Sequence, residues 1–68
     1  MKISARNVFE GTIKEVHRGS TTSHVIVDVK GVTFTSSITN EAVDELGLKA
    51  GLKVKTIIKS SDVMVAAD

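Results

Sequence analysis

Ten Val, six Ile and seven Thr make up 23 of the 68 residues, and Pro is absent. Side chains branched at Cβ are stiff at χ1 and suit the pleated, half-buried surface of a sheet better than a helix. Their order along the chain carries the same message. Over His24–Lys30, the residues Val25, Val27 and Val29 fall on one face, and Ile26, Asp28 and Lys30 on the other. Val32–Ile38 alternates likewise, with Val32, Phe34, Ser36 and Ile38 opposite Thr33, Thr35 and Ser37. Lys30-Gly31 between the two runs reads as a tight hairpin turn. Further strands are expected over Val8–His17, Lys53–Lys59 and Val63–Ala67. Gly11 inside the first marks a bulge or a close backbone approach. Arg18–Ser23 is a turn of small and polar residues.

The alternation breaks once, at Thr39–Gly47, where the pattern predicts a two-turn helix. Thr39 is suited to the N-cap, and Glu41 places negative charge in the first turn. Val43 and Leu46, three apart, are expected to share its buried face. Gly47 suits the left-handed C′ position, with Leu48 packing back on the helix. Three strands, one short helix and two strands make the element order of an all-β, five-stranded, OB-like Greek-key barrel, with the helix between strands 3 and 4. One domain accounts for residues 1–68.

A chain this short buries only about 60% of its unfolded surface. It has no Cys, which excludes disulfides and thiolate metal sites. Its two His residues are too few for a His-based metal site without carboxylate help. Several strands carry Val or Ile on both faces, as in Val25-Ile26-Val27 and Thr56-Ile57-Ile58, and one small barrel has a single interior. Subunit contacts are the expected cover, so a homo-oligomer is expected.

Nine Lys and Arg against eight Asp and Glu leave a net charge of +1. That is not the broad basic field of a nucleic-acid binder. Phe9 and Phe34 are the sole aromatics, too few for a base-stacking platform. No apolar run reaches the length of a membrane span, and no signal-type stretch follows Met1-Lys2-Ile3-Ser4-Ala5. A cytoplasmic protein is expected. His17 and His24 flank a turn holding Ser20 and Ser23, but their spacing does not suggest the base and carboxylate that a serine nucleophile needs. No phosphate loop, dinucleotide turn or metal-ligand pair appears, so neither an enzyme nor a cofactor is expected.

A small oxyanion fits the remaining polar residues better. Arg6 stands beside Ser4, and Lys59 beside Ser60 and Ser61. A guanidinium offers a planar fork of donors suited to a tetrahedral anion, and hydroxyls add neutral donors. The helix start after Thr39 adds free N–H groups. Solvated surface charge, a turn and a cap would explain the same residues one by one.

Ser4-Ala5-Arg6-Asn7, Ser37-Ile38-Thr39-Asn40-Glu41-Ala42, Leu46-Gly47-Leu48 and Ile58-Lys59-Ser60-Ser61-Asp62-Val63-Met64, in that order and spacing, closely resemble the molbindins. The resemblance covers essentially the whole chain. It implies an OB-like barrel, assembly into a hexamer as a trimer of dimers, and binding of molybdate, with tungstate as a second ligand, where subunits meet. The ligands it implies are Ser4, Arg6, Thr39, Lys59 and Ser60, with no side chain coordinating the metal directly. It also implies a second interface site, for which the Gly19-Ser20-Thr21 turn and its N–H groups are the expected part. The role it implies is intracellular molybdenum storage or homeostasis. The alternative reading is a structural or single-stranded nucleic-acid-binding module of the OB type.

Overall fold

The structure, a computed structural model, describes residues 1–68. Its elements are β1 (Asn7–Arg18), β2 (Thr22–Val29), β3 (Val32–Thr39), α1 (Asn40–Leu46), β4 (Lys53–Ile58) and a 3₁₀ turn at Ser60–Asp62. The strands form one antiparallel sheet in the order β3-β2-β1-β4. The β2–β3 hairpin turns on Lys30 and Gly31, whose φ values of 49° and 87° are both left-handed. Two successive left-handed residues match the right-handed twist of the flanking strands, which is why Gly is needed there.

β1 serves two partners. Asn7–Thr12 pairs with β4, and Thr12–Arg18 pairs with β2. Gly11 lies where the two ladders meet. A Cβ at Gly11 would stand 2.6 Å from the Asp28 carbonyl oxygen and 2.8 Å from the side chains of Val27 and Val29. Gly11 is therefore a close-approach residue. The bulge falls instead at Lys14, where the register against β2 shifts between Ile13 and Glu15. The extra residue lets Ile13 and Val16 both turn inward although they are three apart. It also turns Glu15 and His17 to the outer, exposed face.

The core is Ile13, Val25, Val27 and Val43, with Val16, Val29, Phe34, Ile38, Leu48, Leu52 and Val54 packed around it. The expected pairing of Val43 with Leu46 on the buried face of α1 is corrected. Val43 is buried, while Leu46 is 67% exposed. The helix ends in a Schellman arrangement at Gly47 (φ 63°), with Gly47 N–H donating to the Asp44 carbonyl and Leu48 N–H to that of Val43. That closure swings Leu48 back onto the core in place of Leu46.

The expectation of a fifth strand over Val63–Ala67 is also corrected: the sheet has four strands. Past the 3₁₀ turn this segment has no ladder partner within the chain. Met64 and Val65 stand more than nine-tenths exposed. β3 and β4 remain the two edges of the sheet. An apolar groove of about 910 Å³ opens over the inner face, lined by Ile13, Val25, Val27, Ile38, Leu52 and Val54 among others.

Gly11→Ala forces a methyl group into a closed backbone crossing and is expected to cost about 1–3 kcal/mol. Lys14→Ala, exposed on the bulge, is expected to change stability by no more than about 0.5 kcal/mol. Thermal denaturation of the two variants checks both; equal melting temperatures would mean that β1 does not depend on the crossing.

Candidate functional site

The polar residues singled out above gather at two ends of the sheet. At one end, Asn7 and Ile58 form the last rung of the β1–β4 ladder, and Asn7 Nδ2 donates to the Ile58 carbonyl at 3.2 Å. Ser4 and Arg6 lead into that rung and Lys59 and Ser60 leave it, so the fold brings these two segments together. Ala5, between Ser4 and Arg6, is buried and anchors the approach. The 3₁₀ turn is closed by Asp62 N–H donating to the Lys59 carbonyl (2.9 Å) and Val63 N–H to that of Ser60 (3.3 Å).

Ser4, Arg6, Lys59 and Ser60 are all exposed. The carboxylate contacts of the chain are Glu15–His17 and the ion pair Arg18–Asp44, which leaves Arg6 and Lys59, like the other lysines, without carboxylate partners. No side-chain hydrogen bond engages any of the four residues. Two free cations and two free hydroxyls at one end of a ladder form a set of donors fitted to an oxyanion.

Thr39 lies elsewhere. It closes β3 opposite Thr22, at the end of β1 marked by the Arg18–Ser23 rung, not the Asn7–Ile58 one. Its hydroxyl accepts the Ala42 N–H at 3.1 Å as the N-cap. The O–H hydrogen is still available to donate. One chain therefore does not unite Thr39 with Ser4, Arg6, Lys59 and Ser60.

The Gly19-Ser20-Thr21 turn sits beside Thr39 and is tied to the helix start by Asn40. Asn40 N–H donates to the Thr21 carbonyl at 2.9 Å, and its Nδ2 to the Gly19 carbonyl at 3.0 Å. Its Oδ1 accepts from Ser23 Oγ, the one buried polar side chain of the molecule. Gly19 N–H is spent on the Thr22 carbonyl at 2.7 Å. The backbone donors that the turn can offer are thus those of Ser20 and Thr21. Nothing in the sequence spacing marks Asn40 and Ser23 for this task, since Ser23 reads as one turn serine among several.

Arg18, at the same end, is not a spare cation. Its guanidinium donates to Asp44 at 2.8 and 3.4 Å, tying the end of β1 to α1. This hydrogen bond holds the Asp44 carboxyl below its ordinary range and raises the Arg18 guanidinium above its own. No helix is long and apolar enough to cross a membrane.

Residues 3–65 match the family model of the TOBE domain. The chain is 40% identical over 68 residues to molybdenum-pterin-binding protein 1 of Clostridium pasteurianum, covering 98% of this chain and 100% of that one. It is 43% identical over 65 residues to the molybdenum transport protein ModE of Herbaspirillum seropedicae, covering 94% of this chain but only 24% of that protein. The solved structure of a molybdate binding protein from Sporomusa ovata matches with a TM-score of 0.95 at 36% identity, over 98% of this chain and 100% of that one.

Asn40→Ala leaves the buried Ser23 hydroxyl without its acceptor and frees the turn. The expected cost is about 1–3 kcal/mol, with faster amide exchange at Gly19. Adding Ser23→Ala is expected to cost little more, because the two side chains act as one unit. Denaturant titration with hydrogen exchange checks this, and full additivity would show that they act separately.

Proposed function

The chain belongs to the TOBE-domain family and, within it, to the molbindin type, and we propose that it binds molybdate, and tungstate with it, by Ser4, Arg6, Lys59 and Ser60 of one copy and Thr39 of another. The observation that carries this reading is the pair of unpartnered cations, Arg6 and Lys59, beside two unengaged hydroxyls at one end of the β1–β4 ladder. The placement of Thr39 at the other end of β1 supports a site completed between copies.

The function is binding without chemistry. A dianion entering a seam between subunits loses its hydration, and an unpaired buried ion is very costly. Arg6 and Lys59 supply the opposite charge, while the hydroxyls of Ser4, Ser60 and Thr39 meet the remaining oxygens. A site built only of donors favours a fully ionised anion over one that must place a proton. A rigid cavity rejects a smaller tetrahedron, such as sulfate, whose oxygens fall short of some donors.

Assembly is the second part of the proposal, as a hexamer built from a trimer of dimers. The open apolar groove and the exposed Val63, Met64 and Val65 give the chain surface to bury between copies. Because the ligands come from different copies, the anion stabilises the assembly. The Ser20 and Thr21 N–H groups, with the Gly19-Ser20-Thr21 turn held by Asn40, form part of a second site. The role is molybdenum storage or homeostasis in the cytoplasm. A base-stacking reading has less support, because Phe9 and Phe34 stack on each other with ring centroids 5.4 Å apart.

Arg6→Ala is expected to weaken molybdate binding tenfold or more, since a hydrogen bond to a charged group is worth about 1.5–3 kcal/mol. Lys59→Ala should act alike. Isothermal titration decides both, and unchanged affinity removes the residue from the site. Light scattering is expected to give six times the 7.2 kDa chain mass. In a thermal-shift panel, molybdate and tungstate should raise the melting temperature above sulfate, phosphate and a short oligonucleotide. A monomer, or a shift led by the oligonucleotide, would overturn the reading.

A further inference from the structure

The outer face of the β1–β2 ladder holds a pair of side chains that the oxyanion site does not use. The bulge at Lys14 turns Glu15 and His17 outward, and His17 is the direct cross-strand partner of His24. Residues opposite one another on adjacent strands have Cβ atoms about 4.5–5.5 Å apart. Two imidazoles at that spacing can bring one nitrogen each to a single ion, with metal–nitrogen bonds of about 2.0–2.1 Å. Both residues line one small groove of about 260 Å³, together with Arg18, Gly19 and Thr22.

A separate observation concerns tautomer. His17 Nε2 lies 2.8 Å from Glu15 Oε2. An ionised carboxylate only accepts, so in the neutral imidazole this contact places the hydrogen on Nε2 and the lone pair on Nδ1. Metal-ligating histidines almost always have their second nitrogen held in this way, by a carboxylate or a carbonyl. Glu15 is the carboxylate help that two histidines alone lack. The Arg18 charge in the same groove is offset by Asp44. The structure contains no cluster of three or more metal-ligating side chains, so water must complete the coordination.

We propose that His17, through Nδ1, and His24 together hold a divalent transition-metal ion that favours imidazole nitrogen, with Glu15 as the positioning residue for His17. Zn²⁺, Ni²⁺ and Cu²⁺ share that chemistry, and affinity should rise toward Cu²⁺. The pair uses neither Arg6 nor Lys59, so it does not rest on the oxyanion site at the other end of β1, although its groove shares Gly19 with the proposed second oxyanion site.

The test is calorimetric titration of the untagged full chain with ZnCl₂ in molybdate-free buffer, paired with ¹⁵N spectra of the histidine side chains. One ion per chain is expected, with His17 Nδ1 shifting on binding. His17→Ala and His24→Ala should each lower affinity at least tenfold, and the double variant should be no weaker than the weaker single one. Glu15→Gln should lower affinity about tenfold while leaving the melting temperature of the metal-free protein unchanged. All three side chains are exposed, so the variants are expected to fold. Absence of Zn²⁺ binding, undiminished binding by His24→Ala, or a shift at His17 Nε2 in place of Nδ1 would each overturn the proposal.

Discussion

β1 pairs with β4 through its first half and with β2 through its second, and Thr12 is shared between the two ladders. A strand can serve two partners in this way only if it bends and lets a neighbour's backbone come close. Gly11 permits the approach, because any Cβ there would strike the Asp28 carbonyl. The bulge at Lys14 then resets which side chains face inward, so that Val16 follows Ile13 into the core. The remaining elements are arranged around this one strand. β2 and β3 extend the sheet from its C-terminal half, and α1 lays Val43 over the result.

The length of β1 also decides what one chain can and cannot bring together. Its N-terminal end gathers the Ser4–Arg6 and Lys59–Ser60 segments, while its C-terminal end gathers Thr39, Asn40 and the Gly19–Thr21 turn. A ligand that calls on residues from both ends is served by placing two copies end to end. Surface for such contacts is present, since the groove over the inner face and the segment after the 3₁₀ turn expose aliphatic side chains that a single chain leaves uncovered. In the proposed assembly, binding and association are two views of one equilibrium, in which the anion in the seam holds the copies together.

Features fixed by local chemistry were legible in the sequence. The Lys30-Gly31 turn, the Thr39 cap and the Gly47 C′ position each follow from a few adjacent residues and stand as expected. Features that depend on distant partners were not. Whether Leu46 or Leu48 covers Val43 is settled by how the Schellman closure swings the chain, and helical spacing alone chose wrongly. The bulge sits at Lys14, a residue type with no preference for it, because the inward demands of Ile13 and Val16 set its place. Val63–Ala67 has strand-forming residues, but a ladder needs a partner that this chain does not supply. At the candidate site, residue types and the family resemblance pointed to Arg6 and Lys59. The Asn40–Ser23 unit behind the other end escaped notice, because a buried serine cannot be told from a turn serine by sequence alone.

Net charge tells little about such a molecule, and the distribution of charge tells more. Eight acidic residues against nine basic ones leave no field to draw an anion in. The acids with side-chain partners lie at the C-terminal end of β1, Glu15 hydrogen-bonded to His17 and Asp44 paired with Arg18. Arg6 and Lys59, at the other end, are left without a carboxylate. Cations without a carboxylate, carried by segments that meet at one end of a strand, are available to an anion. The same reasoning separates the two sites described above. The end of β1 with unpartnered cations suits a doubly negative oxide, whereas the face where Glu15 orients His17 and Asp44 offsets Arg18 suits a cation.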